Sequence, residues 1–461
     1  MNSAVVVPPS ESLFAAGRLG PCLGAVALIS LLAFEAMAVS TAMPAMAQAL
    51  DGLSLYALAF GGPLAASVLA MVMAGPWSDR RGPWQPSVAG LLLFAAGLLL
   101  AGLATQMPVL VAGRLLQGLG GGMLGVTLYV GMGQVVPAPL HPRLFGLFAA
   151  AWVLPGLIGP TLAALMVDQW GWRSVFLLVL ALVPLAAAFL LPAFLRLPRP
   201  VSGDATRTQP TGPTARPRKA LLWASVGAAG ALLLNSLSSL DAAWRSIALL
   251  VGLASVWWAA SRLLPAGCLW ARPGLPSVVA LRALLAAAFA SAEVFIPLML
   301  TGVHGWSLIQ AGLALSTGAV FWSVGSAVQS RIQHTRARRR GLVLGFLMVA
   351  AGIFGVAMPL LWSWPVAWVM VGWALSGFGI GLAFPMLSVL TLSLSAPGEQ
   401  GRNASALQLG DALGCSAALA MAGALFNAAG SGPTAIGSLW VLGLAGLLAL
   451  MGAWLAPRAF V

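Results

Sequence analysis

Acidic residues are scarce in this chain: ten Asp and Glu in 461 positions, with 7% charged residues in all. A soluble protein of this length needs far more charge to solvate its surface, so that class is excluded. Lysine is almost missing too, since every one of the 23 basic residues except Lys219 is Arg. The three cysteines, Cys22, Cys268 and Cys415, are scattered singly, with neither metal-ligand spacing nor an obvious disulfide partner. His141, His304 and His334 are equally isolated, so no metal and no cofactor is expected. Short alternating segments of the kind that build a membrane β-barrel are absent. What remains is apolar: 60% hydrophobic residues and a mean hydropathy of +0.96, gathered in runs long enough to cross a bilayer.

Those runs predict an all-α polytopic membrane protein. Six spans are expected near 22–46, 54–75, 85–105, 108–133, 144–167 and 174–195. A Pro-, Thr-, Gly- and Arg-rich stretch at 196–219 follows and reads as a flexible linker with little to bury. Two shorter runs, 220–240 and 244–264, precede six more at 276–301, 308–330, 341–361, 365–391, 403–428 and 435–456, for fourteen spans. The implied units are residues 1–195, the linker, a hairpin at 220–264, and 275–461. The first run carries Ala45-Met46-Ala47, which imitates a signal-cleavage site. Its apolar core is too long for a signal peptide and Glu35 interrupts it, so it reads as a retained span.

The net charge of +13 suggests nucleic acid until its placement is examined. With a cytoplasmic N-terminus, 19 of the 23 basic residues fall in cytoplasmic segments. Only Arg173 and Arg245 fall outside, and Arg114 and Arg282 lie within spans. This is the positive-inside pattern of a plasma-membrane (inner-membrane) protein with both termini cytoplasmic, and one span too many or too few would destroy it. Its surroundings are lipid, and no nucleic-acid partner is expected. Trp residues at 77, 84, 170, 172, 244, 270, 306, 362 and 364 cluster at predicted span ends, as an interfacial belt would.

The two six-span blocks look like copies. Gly118, Gly120 and Gly122 match Gly377, Gly379 and Gly381, and Arg143 matches Arg402 at the same offset; Pro44 and Ser54 match Pro297 and Ser307 at a slightly different one. Parallel repeats of this kind place substrate sites near the midplane between the halves. The glycines follow no strand and have no acid about 20 residues on, so they are not a nucleotide loop. Pairs such as Gly121 and Gly125, or Gly377 and Gly381, are expected to let helices approach closely. Asn403-Ala404-Ser405 fits a glycosylation pattern but lies at a cytoplasmic helix start, where it is read as chance.

Between the second and third spans runs Gly75-Pro-Trp-Ser-Asp79-Arg80-Arg81-Gly82, a charged turn in a chain that uses charge sparingly. Gly75 is expected to permit close packing, Asp79 to accept hydrogen bonds at a helix N-terminus, and Arg80 and Arg81 to stay cytoplasmic. Span 4 carries Arg114 three residues ahead of Gln117-Gly118. Span 5 carries Pro155, Gly156, Gly159 and Pro160, with Ala163 and Ala164 where a closing glycine pair would stand. Together these resemble the signature loop, the second motif and the antiporter motif of the major facilitator superfamily, over nearly the whole chain. Fourteen spans resemble its drug:proton antiporter group. The resemblance implies two six-helix bundles related as parallel repeats plus a central extra helix pair. It also implies a monomer working on a small molecule and protons, with the 75–82 turn latching one cavity-closed state.

Ionisable residues inside spans are costly and are the natural candidates for coupling. Glu35 and Arg114 both fall about 20 Å from the cytoplasmic edge at 1.5 Å per residue. The resemblance puts spans 1 and 4 on the central cavity, so the two are expected to form a switchable pair. Asp411 lies about 12 Å inside its span, in a polar stripe with Gln408. Glu293 lies nearer the outer side, and Arg282, close enough to its cytoplasmic end to snorkel, is expected to play a structural role. Proton carriers are therefore sought among Glu35, Asp411 and Glu293 with Arg114, and the cavity lining among Gln117, Gln408, Glu35 and Asp411. The expected activity is proton-coupled export of a small amphipathic compound. The second reading is symport or facilitated movement of a metabolite, and a membrane receptor or enzyme is the remote one. The only long loop, 196–219, offers no catalytic residues, and no nucleotide motif supports ATP-driven transport.

Overall fold

A computed structural model describes residues 13, 15, 17–137, 140–197, 217–237, 242–332, 334–362, 364–396, 399–430 and 432–460. Residues 198–216 of the expected linker and 238–241 of the expected outer connection lie outside these. The first seven helices are α1 (Leu19–Ala49), α2 (Tyr56–Arg81), α3 (Trp84–Gly102), α4 (Met107–Val135), α5 (His141–Ala150), α6 (Val153–Trp170) and α7 (Arg173–Leu195). A hairpin of α8 (Pro217–Asn235) and α9 (Ala242–Leu263) follows. The last six are α10 (Leu275–Gly302), α11 (Leu308–Ser330), α12 (Thr335–Leu361), α13 (Trp368–Leu394), α14 (Gln400–Ala428) and α15 (Ala435–Leu455).

Among the described residues, thirteen segments are long and apolar enough to cross a membrane, with α5 and α6 counting as one interrupted span. The fourteenth expected span is α8, a shorter apolar helix at Lys219–Asn235. Helix starts follow local chemistry. Pro108, Pro142 and Pro276 occupy first-turn positions, where a missing N–H costs nothing. Ser307 and Gln310 close a reciprocal capping box on α11.

One apolar core fills the bundle of α1–α7 and reaches into α10, α14 and α15 through Val294, Phe295, Phe426 and Val441, and a second fills that of α10–α15. Glycines bring the helices together in the same way in both. On α4, Gly118 and Gly122 press on the α2 backbone at Pro63 and Ser67, while Gly120 presses on α3 at Gly90 and Phe94. On α13, Gly377 and Gly381 press on α11 at Gly318 and Trp322, while Gly379 presses on α12 at Gly345 and Val349. The partners correspond residue for residue, so the repeat is one of packing as well as of sequence. Gly121 and Gly125 differ from expectation: Gly121 meets only Leu32, and Gly125 faces open space.

The bundles meet along α2 with α14 and α6 with α11. At the Arg-poor end Tyr56, Phe60, Phe295 and Phe426 interlock with ring centroids 5.2–5.5 Å apart. Tyr56 Oη donates to the Val294 carbonyl at 2.9 Å, tying α2 to α10. Gly156 and Pro160 of α6 lie against Ala319 and Gly312 of α11. Beside them Thr161 and Ser316 hydroxyls are 3.2 Å apart. The hairpin lies outside this seam, with Trp223 and Trp258 stacked between α8 and α9.

Candidate functional site

Pro63 opens the site. It has no N–H to satisfy the carbonyl of Ala59 four residues earlier in α2, which leaves that acceptor free inside the bundle. Arg114 of α4 takes it, its Nε donating to Ala59 O at 3.2 Å. The same guanidinium donates through Nη1 to Glu35 Oε1 of α1 and to Gln117 Oε1 at 2.7 Å. Glu35, Arg114 and Gln117 are 5%, 6% and 3% exposed, so three helices are joined by a buried ionic knot. The structure thus brings together Glu35, Arg114 and Gln117, and Gln117 Nε2 is left without a partner. Gly159 packs on Met37 and Phe34 of α1, half a turn from Glu35, while Gly156 faces α11. Pro155 and Pro160 are buried. The antiporter-like segment therefore lies between the ionic knot and the seam.

The corresponding place in the second bundle holds no charge. Trp373 stands on α13 where Arg114 stands on α4, and it stacks on Phe289 of α10 at 4.4 Å. Phe289 is within one residue of the position matching Glu35.

Asp411 has a partner that the sequence reading missed. Arg282 does not snorkel: its Nε donates to Asp411 Oδ2 at 3.1 Å, its Nη1 to Ser388 Oγ at 2.5 Å, and its guanidinium lies 3.6 Å over the Phe384 ring. The cation stays because a carboxylate, a hydroxyl and a ring face solvate it in place. Depth arithmetic applied to this pair would have found it, since both residues lie roughly 10–16 Å from the Arg-rich end. Asp411 Oδ1 has no partner. Gln408, one turn away, is half-buried, as is Glu293 on α10, which makes no hydrogen bond or ion pair.

The expected charged turn is helical up to Arg81, and the chain reverses only at Gly82, whose φ of 78° disfavours any side chain. Gly75 is thus a helical residue facing open space, not a packing contact. Asp79, Arg80 and Arg81 are exposed, and Asp79 makes no hydrogen bond or ion pair. Outside the spans, burial pushes the Cys268 thiol up to about 12. His141 Nε2 lies 2.9 and 3.0 Å from the last free carbonyls of α4, a capping role. No metal-ligand cluster occurs among the described residues. An apolar groove of about 540 Å³ lined by Thr317, Phe321, Met348, Met370 and Phe378 touches none of the candidate residues.

Two repeated helical bundles, one with a buried ionic knot inside it, joined by an aromatic seam at one end, define a multi-pass membrane transporter. Residues 25–419 match the Major Facilitator Superfamily, and the chain belongs to that family. It is 26% identical over 408 residues to the multidrug transporter protein MdtP of Bacillus subtilis (strain 168), covering 86% of this chain and 73% of that one. It is 25% identical to the multidrug efflux pump SdrM of Staphylococcus aureus (strain N315), covering 89% and 90%. Among solved structures, a POT family transporter in complex with 5-aminolevulinic acid superposes with a TM-score of 0.69 over 98% of both chains, at 17% identity.

Proposed function

We propose that the chain is a proton-coupled exporter of small amphipathic, drug-like compounds that works by alternating access. The Arg-rich end then faces the cytoplasm, both termini lie there, and the monomer in the inner membrane is the working unit. Units 1–195 and 275–461 move against each other, with 196–219 and the 220–264 hairpin between them. The observation that carries this reading is the buried Glu35–Arg114 pair, in which a proline-freed carbonyl also holds the guanidinium. A proton arriving at Glu35 removes the charge that holds Arg114. The guanidinium then has only Ala59 O and Gln117 Oε1, and α1 is released from α4. Substrate and proton linked to opposite states of one carboxylate exchange by linkage. A multidrug transporter protein and a multidrug efflux pump among the relatives support the substrate class. Asp411, held by Arg282, and the unpartnered Glu293 are the other embedded acids that could serve coupling.

Glu35→Gln is expected to abolish proton-driven accumulation in inverted vesicles while leaving downhill exchange of a neutral substrate. Uphill transport retained in Glu35→Gln but lost in Asp411→Asn would move coupling to α14. Retention in both variants would remove proton coupling from these residues.

A further inference from the structure

The charges inside the spans do not balance. Among the described residues, Glu35, Arg114, Arg282, Glu293 and Asp411 lie well inside. Arg114 neutralises Glu35, and Arg282 neutralises Asp411. Glu293 is left over, without an ion pair or hydrogen bond. An acid at this depth is costly unless something meets it.

Glu293 also closes a trough. Between Leu285 and Leu300 of α10, only Ala286, Ala290 and Glu293 are not buried. With the half-buried Arg282 they form one stripe, spaced by four, four and three residues. The stripe is ~16 Å long at 1.5 Å per residue, and its two middle members are alanines, which leave room above the helix. It ends under the aromatic seam, since the next two residues, Val294 and Phe295, are held by Tyr56. Phe384 lies under Arg282 at one end, and Phe289 stands one turn before Glu293 at the other. The half-buried Trp322 meets both rings, with centroids 5.4 and 5.5 Å away. One side of the trough is therefore a continuous aromatic strip.

Toward the first bundle there is space. On α4, Gly121 meets only Leu32, Gly125 meets nothing, and Tyr129, one turn on, is 41% exposed. The Arg282 cation acts on the Tyr129 phenol, and the Asp411 and Glu293 carboxylates both act on the Cys415 thiol of α14. These three helices thus border one space between the bundles.

We propose that this trough binds an organic cation of single charge with a flat apolar body, its charge against Glu293 and its body along Ala286 and Ala290 beside Trp322. Such a ligand meets the one embedded carboxylate that no protein cation neutralises, and the ring faces beside it add attraction. An anion would find no spare cation. A second positive charge at the far end would meet Arg282 and Asp411, already neutral as a pair. The site selects by number of charges as well as by sign, and Glu293 recognises substrate while proton coupling stays with Glu35. This inference rests on the proposed export of small amphipathic compounds and names their charge.

Calorimetric titration of the full-length protein in lipid nanodiscs tests it with two phenanthridinium dyes, ethidium with one charge and propidium with two. The wild type is expected to bind ethidium roughly tenfold more tightly than propidium. Glu293→Gln should weaken ethidium binding by roughly tenfold and erase the preference, while Glu293→Asp should keep most of both. Ala290→Phe, which fills the trough and leaves the acid in place, should abolish ethidium binding. Unchanged ethidium affinity in Glu293→Gln overturns the assignment, as does a wild type that binds propidium as tightly or binds no ethidium. A preference that survives in Glu293→Gln is one of size, and overturns it too. Binding as expected, without proton-driven ethidium uptake into inverted vesicles, would leave the site standing and bring down proton-coupled export instead.

Discussion

Arg282 shows how an embedded cation is kept from the membrane surface. With Asp411, Ser388 and the Phe384 ring around it, moving outward would exchange three directed partners for water at the cost of stranding the carboxylate. Arg282→Met should therefore destabilise the protein by on the order of 3 kcal/mol, because breaking a buried pair leaves one charge uncompensated. Adding Asp411→Asn should recover much of that loss. Thermal unfolding of the two single variants and the double variant in detergent measures the coupling, and simple additivity would show that the pair is not a unit. At this scale the sequence was half legible. Glu35 and Arg114 could be matched by depth because each is a lone charge in a long apolar run. The Arg282 pairing was hidden because closeness to a helix end suggested snorkelling, while its partners Ser388 and Phe384 look like ordinary span residues. Nothing in the sequence says that Pro63 frees a carbonyl for Arg114, since that depends on which helix faces α2.

At the scale of the element, the α4 and α13 glycines decide how closely three helices pack. A methyl group at Gly118 would meet Pro63 backbone, which cannot rotate away, so Gly118→Ala should cost about 1–3 kcal/mol as overpacking. Gly125→Ala, facing open space, should leave the melting temperature unchanged, and equal losses at both positions would contradict this packing. The repeat was readable because spacing by two residues is rare by chance. Which glycine faced which helix was not, because that needs the neighbours' positions. The last turn of α2 is a second case. The charged turn was read as a loop, yet the helix continues past Pro76, which removes one N–H, and its last backbone bond runs from Gly82 N to Ser78 O. Asp79 makes no hydrogen bond or ion pair in this structure, as a latch on a cavity-closed state, the role the family resemblance implies, would be when released. Asp79→Asn is expected to slow turnover while leaving substrate affinity near wild type, measured as a split between kcat and KM. Weakened binding at normal turnover would place Asp79 in the substrate path instead.

For the whole molecule, topology is the testable quantity. A cysteine at Ser239 should react only from outside the cell, and labelling only from the cytoplasm would reduce the count to twelve spans. The native thiols will interfere little, because all three are buried and Cys268 holds its proton too tightly to supply thiolate. The orientation that the Arg placement implies is what this labelling tests, while the helical spans were legible because the apolar runs are long. The sealed Arg-poor end was not, since Tyr56, Phe60, Phe295 and Phe426 are spread over three distant helices. The near-absence of lysine bears on this same charge layout. Arginine does not lose its proton at any pH a cell survives, so the charge proposed here to orient the chain in the bilayer is invariant. A cell exposed to alkali would see a lysine-based anchor weaken, whereas here the orienting charge and any titrating charge are separate populations.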